Sequence, residues 1–194
     1  MFSAMSFAES PATSQLSDLL SGVDSMEGSF KQTITDEENV IVEENNGQFW
    51  LKRPGNFRWE VSPPFAKTIV SDGKTLSTYD PDLEQLTIEA VNANIMESPM
   101  ILLSGDVDAI HQRYTVIAKE GKNAFELTPK RSDAIFTRLN VRFVDGVLAE
   151  MTIFNSLGET QKYIFSELNI NPEFKLNQFQ FIPPENTDIL HLAE

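Results

Sequence analysis

The chain has no cysteine, which excludes disulfides, thiolate nucleophiles and Cys-ligated metals, and leaves the compartment open. Histidine is nearly as scarce. His111 and His191 are the only two; the first follows a helical signal and the second falls in the last residues, so they form no acid–base pair. Basic residues are few: 15 Lys and Arg against 29 Asp and Glu leave a net charge of −14. Nucleic acids demand a basic face, and anionic lipid surfaces repel an acidic protein. No stretch is long and apolar enough to span a bilayer as a helix. Gly-x-Ser-x-Gly, His-Glu-x-x-His, Gly-x-Gly-x-x-Gly and the phosphate-binding loop are all missing. The acidic pairs Asp80/Asp82 and Asp106/Asp108 suit turns and caps better than calcium ligation. The expectation is a protein that is not an enzyme and carries no metal and no cofactor.

What the chain does have is apolar material. Its 194 residues are 41% hydrophobic and include 14 Phe, enough for one domain with a substantial core. Ser10-Pro11 reads as a helix cap with Pro at the first helical position. Leu16, Leu19, Leu20 and Val23 follow at i, i+3, i+4, i+7, an amphipathic helix ending near Met26 or Gly28. From Phe30 the period shortens to two. Val40–Arg53 and Phe57–Ser62 read as strands, stopped by Pro63-Pro64. Asp72-Gly73 and Asp145-Gly146 mark hairpins. Ser98-Pro99 opens a short helix carrying Met100, Ile101, Leu102 and Leu103. The alternation Ile135, Leu139, Val141, Phe143 marks another strand, and Phe179–Ile182 reads as the last. Ten or eleven antiparallel strands and two or three short helices result, with no repeat or linker.

A meander of that length must curl to protect its edges. The apolar face then lies inside, and the two apolar helical segments have only the concave side in which to bury their stripes. The pattern leaves open whether this interior is filled by side chains or holds an adaptable cavity.

Residues 47–61 organise the rest. Two strand-like runs flank an Arg-Pro-Gly-Asn turn. Phe49, Leu51 and Arg53 share one face of the first run; Phe57, Trp59 and Val61 share a face of the second. A guanidinium at the end of an apolar face either keeps its head in water or finds acceptors.

The wording of this stretch, Phe-Trp-Leu-Lys-Arg-Pro-Gly-Asn-Phe-Arg-Trp, resembles the signature of the periplasmic outer-membrane lipoprotein carriers, the LolA-type chaperones. The 69–85 block, Ser98–Leu103, Phe125–Lys130 and Phe179–Pro184 agree, in the family's order, and the likeness covers residues 15 to 188. Two departures stand out. Ser77-Thr78 precede Tyr79 where the family carries bulky aromatics, and Asn186 stands where it usually has Gly.

The resemblance implies a mainly β fold with short helices, a single curved antiparallel sheet forming an incomplete β-barrel whose hydrophobic cavity is covered by a helical lid. It places the carrier domain at 11–188, between an N-terminal stretch 1–10 and a tail 189–194. Ser6-Phe7-Ala8 looks like the end of a trimmed export signal, a disordered N-terminus being the other reading. The cavity is expected to be lined by Phe49, Leu51, Phe57, Trp59 and Val61, joined by Val141 and Phe143. Leu16, Leu20, Met100, Ile101, Leu102 and Leu103 lie on the lid side, and Arg53 latches the lid through carbonyls of residues 100–104. The implied partners are acylated lipoproteins, an inner-membrane lipoprotein-releasing ABC transporter and an outer-membrane lipoprotein receptor, with the protein a periplasmic monomer. The competing reading is a lipid-binding or envelope-stress-sensing module on the same scaffold. The membrane-anchored receptor of this fold needs an N-terminal lipidated Cys.

Overall fold

The computed structural model describes residues 10–91, 103, 110–121, 123–132, 134–175 and 177–192. Helix α1 (Pro11–Ser21) starts as the sequence predicts: Ser10 is extended at φ −70° and ψ 147°, and its Oγ accepts from Thr13 N at 3.2 Å. Leu16 and Leu20 are buried on its inner side. The helix stops earlier than expected, at Ser21, with Gly22 as its cap.

Strands β1 (Ser25–Thr35), β2 (Ile41–Lys52), β3 (Asn56–Val61), β4 (Lys67–Asp72), β5 (Thr75–Asp80) and β6 (Gln85–Ala90) follow. A single turn, α2 (Ile110–Arg113), leads into β7 (Tyr114–Ala118), β8 (Ala124–Pro129), β9 (Arg138–Val144), β10 (Val147–Phe154), β11 (Thr160–Ile170) and β12 (Asp188–His191). All twelve form one sheet in the order β12-β6-β5-β4-β3-β2-β1-β11-β10-β9-β8-β7. Every pairing is antiparallel except β12 with β6. The chain is thus a mainly β protein built on one open, curved sheet.

The inner face of the sheet supplies the core. Phe49 and Leu51, Phe57 and Trp59, Leu139, Val141 and Phe143, and Tyr163 and Phe165 join one buried cluster with Leu16 and Leu20 of α1. The β8–β10 side of this interior is filled: Leu127, Leu139 and Met151 have no exposed surface.

Four sequence expectations need correction. Strand β1 begins at Ser25, not Phe30. Its inward positions 26, 28, 30 and 32 read Met, Gly, Phe, Gln, so Gly28 breaks the apolar alternation. A Cβ at Gly28 would lie 2.5 Å from the Leu168 side chain and 2.9 Å from Ser166 O, leaving no room for an apolar marker there. Ile135 does not share the β9 face; it precedes the strand and is exposed, while Phe136 is buried near Tyr114, with ring centroids 6.2 Å apart. Residues 179–182 are not a strand. Phe179 is buried and Phe181 stands 5.0 Å from Tyr79, whose side chain lies opposite the cavity-facing ones of β5, so the segment covers the outside of the sheet. Residues 189–191, expected in a tail that starts at 189, instead continue a strand from Asp188 that pairs with Gln85–Ile88. Asn186, in the family's Gly position, has φ +67°, a conformation Asn tolerates better than most side-chain-bearing residues.

Gly47 carries a packing constraint of its own. A Cβ there would meet Glu60 O at 2.0 Å and the Phe30 ring at 2.4 Å, so the Phe30 ring lies directly over bare backbone. Gly47→Ala is expected to cost about 1–3 kcal/mol through overpacking, read as a lowered urea midpoint.

Candidate functional site

The rings on the concave face form one aromatic surface. Phe30 stacks on Trp59 with centroids 4.0 Å apart and planes at 22°. Phe49 lies 5.6 Å from Trp59 and meets Phe165 edge-on at 5.4 Å, while Tyr163 approaches Trp59 at 5.7 Å. Register brings them together: Phe49 faces Trp59, and Leu51 faces Phe57, across β2–β3. Val61 is only partly buried, at the edge of the cluster. The sequence expectation omitted Phe30, Tyr163 and Phe165. Their alternation on β1 and β11 was available as a signal, blurred by Gly28 on one strand and by outward-facing Ile164 on the other.

Arg53 closes one end of this surface. Its Nε and Nη2 donate to Leu103 O at 3.1 and 2.9 Å, and its Nη1 donates to Leu20 O at 2.9 Å. The guanidinium therefore ties the last turn of α1 to the segment bearing Leu103. Carbonyls at a helix C-terminus carry partial negative charge and suit a cation, and Leu20 O has a second lone pair for Arg53 beside the bond it accepts from Val23 N at 3.1 Å. Leu103 is itself buried. Met100, Ile101 and Leu102 lie outside the described residues.

The support around Arg53 is backbone-rich. Arg53 N donates to Asp24 O at 2.9 Å. Its turn rests on the β4–β5 hairpin: Ser71 Oγ donates to Gly55 O at 2.9 Å, and a Cβ at Gly55, whose φ is +73°, would approach Gly73 Cα to 3.1 Å. Two glycines thus let two turns pack face to face. On the other side Asn171 holds the α1 terminus, its Oδ1 accepting from Asp24 N and Ser25 N and its Nδ2 donating to Gly22 O.

Beneath the guanidinium is a cavity of about 170 Å³, bordered by Leu19, Leu20, Val23, Met26, Leu103, Phe143 and Leu148. Drug-sized ligand sites run to about 300–1,000 Å³. A void of this size takes about one benzene-sized group, so a larger apolar guest enters only if α1 or the Leu103 segment moves. The arrangement offers apolar surface under a cover held by hydrogen bonds; among the described residues it presents no paired acid and base.

Known proteins resemble this chain along most of its length. The family model described as "Outer membrane lipoprotein carrier protein LolA" matches residues 21–182. The outer-membrane lipoprotein carrier protein of Azotobacter vinelandii is 35% identical over 198 residues, covering 98% of this chain and 96% of that protein. Its counterpart in Chromohalobacter salexigens is 34% identical over 185 residues, covering 94% and 88%. Among solved structures, a LolA superfamily protein from Nitrosomonas europaea aligns with a TM-score of 0.52 at 11% identity, over 89% of this chain and 99% of that one; it supports the fold alone.

Asn171→Ala removes three hydrogen bonds at the α1 terminus and puts Ala at φ +56°. A loss of about 1–3 kcal/mol is expected, measured by denaturant unfolding.

Proposed function

This chain belongs to the LolA family of outer-membrane lipoprotein carriers, and from that premise we propose that its concave face binds the acyl chains of lipoproteins and carries them through the periplasm. The cargo is taken from an inner-membrane lipoprotein-releasing ABC transporter and passed to an outer-membrane receptor. No helix of the described residues is long and apolar enough to cross a membrane, which suits a carrier that works between membranes. The observation that carries the reading is Arg53, bridging the carbonyls of Leu20 and Leu103 above an apolar cavity.

The physics of a carrier without an energy source explains why such a bridge is useful. Burial of hydrocarbon is worth ~0.8 kcal/mol per CH₂, so freely accessible acyl sites would hold cargo too tightly for hand-over. A closed empty state that buries the same surface in the protein's own side chains offsets most of that gain. Binding then measures a difference between two burial states. Leu16, Leu20 and Leu103 fill the space when it is empty. Phe49, Leu51, Phe57, Trp59 and Val61 are the surface the acyl chains meet. Arg53 sets the balance, since its bonds to the lid exist only in the closed form.

Two outcomes test this reading. An apolar fluorescent probe bound to the empty protein is expected to be displaced by triacylated lipopeptide; failure to compete, with the protein folded, moves the assignment to the lipid-sensing alternative. Arg53→Leu removes the bridge and costs the closed state about 1–3 kcal/mol. Loaded protein is then favoured by about one to two powers of ten, so the variant loads but transfers poorly, and Arg53→Lys is milder because it keeps the charge while losing the forked donors. Donor-to-protein and protein-to-acceptor transfer are assayed separately. Parental transfer rates in Arg53→Leu would remove the latch from the mechanism.

A further inference from the structure

A second cavity, of about 360 Å³, lies at the other end of the same concave face. Leu51 pairs with Phe57 near Arg53, whereas Gly47 pairs with Val61 at the far end, and at about 3.3 Å per residue Asn45 sits about 26 Å along β2 from the latch. Trp59, Val61 and Ile69 form an apolar wall continuous with the aromatic surface.

The rest of the lining is different in kind. Glu43, Asp80 and Asp82 supply three carboxylates, and Lys67 is the single basic side chain among the lining residues. The floor is a chain of hydrogen bonds. Asn45 Nδ2 donates to Glu43 Oε1 at 2.5 Å and to Gln32 Oε1 at 2.8 Å; Gln32 Nε2 donates to Tyr163 Oη at 2.7 Å; Tyr163 Oη donates to Gln161 Oε1 at 3.1 Å. Burial pushes the Tyr163 hydroxyl well above its ordinary pKa, so it stays a neutral donor. One buried amide oxygen of this hydrogen-bond chain is left over. Asn45 is 5% exposed, and its Oδ1 has no hydrogen-bond partner among the described residues. Because its Nδ2 serves two acceptors, the amide orientation is fixed and the unmet group is an acceptor. The three carboxylates of the lining accept N–H donors and oppose anions, and the unmet Asn45 acceptor in the floor adds negative potential of the same sign.

We infer that this cavity seats the polar head of the acylated cargo and selects heads that carry N–H donors and no negative charge. The inference rests on the carrier reading and adds a specificity to it: acyl chains run from here over Trp59 toward the latch, while the neutral amide groups of an acylated peptide stay at the acceptor-rich end. Phospholipids with the same chains but an anionic phosphate are disfavoured by the carboxylates.

The test uses two lipids with identical palmitoyl chains, a diacylglycerol linked to an N-acetylcysteinyl dipeptide amide and a phosphatidate, each displacing an apolar fluorescent probe from the full chain. The parent is expected to bind the peptide amide at least tenfold more tightly, with the margin shrinking as salt screens the carboxylates. Glu43→Gln combined with Asp82→Asn should cut the preference to threefold or less, mainly through tighter phosphatidate binding. Asp82→Lys is an independent check at an exposed residue, readable even where the double variant folds poorly. Equal binding of the two lipids by the parent, or a preference unmoved by these substitutions, overturns the inference and leaves the carrier reading in place. Displacement by neither lipid, from folded protein, overturns the carrier reading and the inference with it.

Discussion

The Arg53 guanidinium, shared between the carbonyls of Leu20 and Leu103, is the interaction on which the rest of the site depends. It joins two pieces of chain that the sheet alone does not hold together. Only Arg has the geometry: a planar fork with five donors, charged at every working pH. The carbonyls are suitable acceptors because one belongs to the last turn of a helix, where intrahelical donors run out. The turn that presents Arg53 is in turn fixed by its own N–H on Asp24 O and by the hairpin packed beneath Gly55. Removing the side chain therefore leaves the scaffold in place and changes the cover.

The concave face has two characters. Near the latch it is aromatic and aliphatic, and the space there is too small for acyl chains until the cover shifts. Near Asn45 and Tyr163 it is polar, bonded internally and acidic at its border. A curved sheet allows this division because each inward position along a strand lies about 7 Å from the next. One strand can thus carry Leu51 and Phe49 at one end and Asn45 and Glu43 at the other without mixing them. This gradient fits an amphiphilic cargo, with hydrocarbon under the lid and amide groups at the acceptor-rich end.

How much of this was legible in the sequence depends on which physical signal carried it. Phe49, Leu51, Phe57 and Trp59 were readable because period two and a short turn force them onto one face. Arg53 stood out as a charge on that apolar face, and the family likeness supplied its partner segment. Leu20 O was invisible as a second acceptor, because a backbone carbonyl has no sequence signature. Gly28 concealed the start of β1, since a position too crowded for a side chain cannot display hydrophobic alternation. Residues 179–182 alternate as a strand does, yet Phe179 and Phe181 pack on the outside of the sheet. The polar network escaped notice for another reason: Gln32, Asn45 and Gln161 look like ordinary surface residues until register places them inward.

The most direct measurement follows the Arg53 side chain itself. Hydrogen exchange at its Nε–H, observed by nitrogen-15 NMR in the empty protein and after saturation with triacylated lipopeptide, reports whether the bond to Leu103 O opens on loading. The account predicts slow exchange when the protein is empty and fast, solvent-like exchange when it is loaded. Equal protection in both states, with lipopeptide shown to be bound, would contradict it.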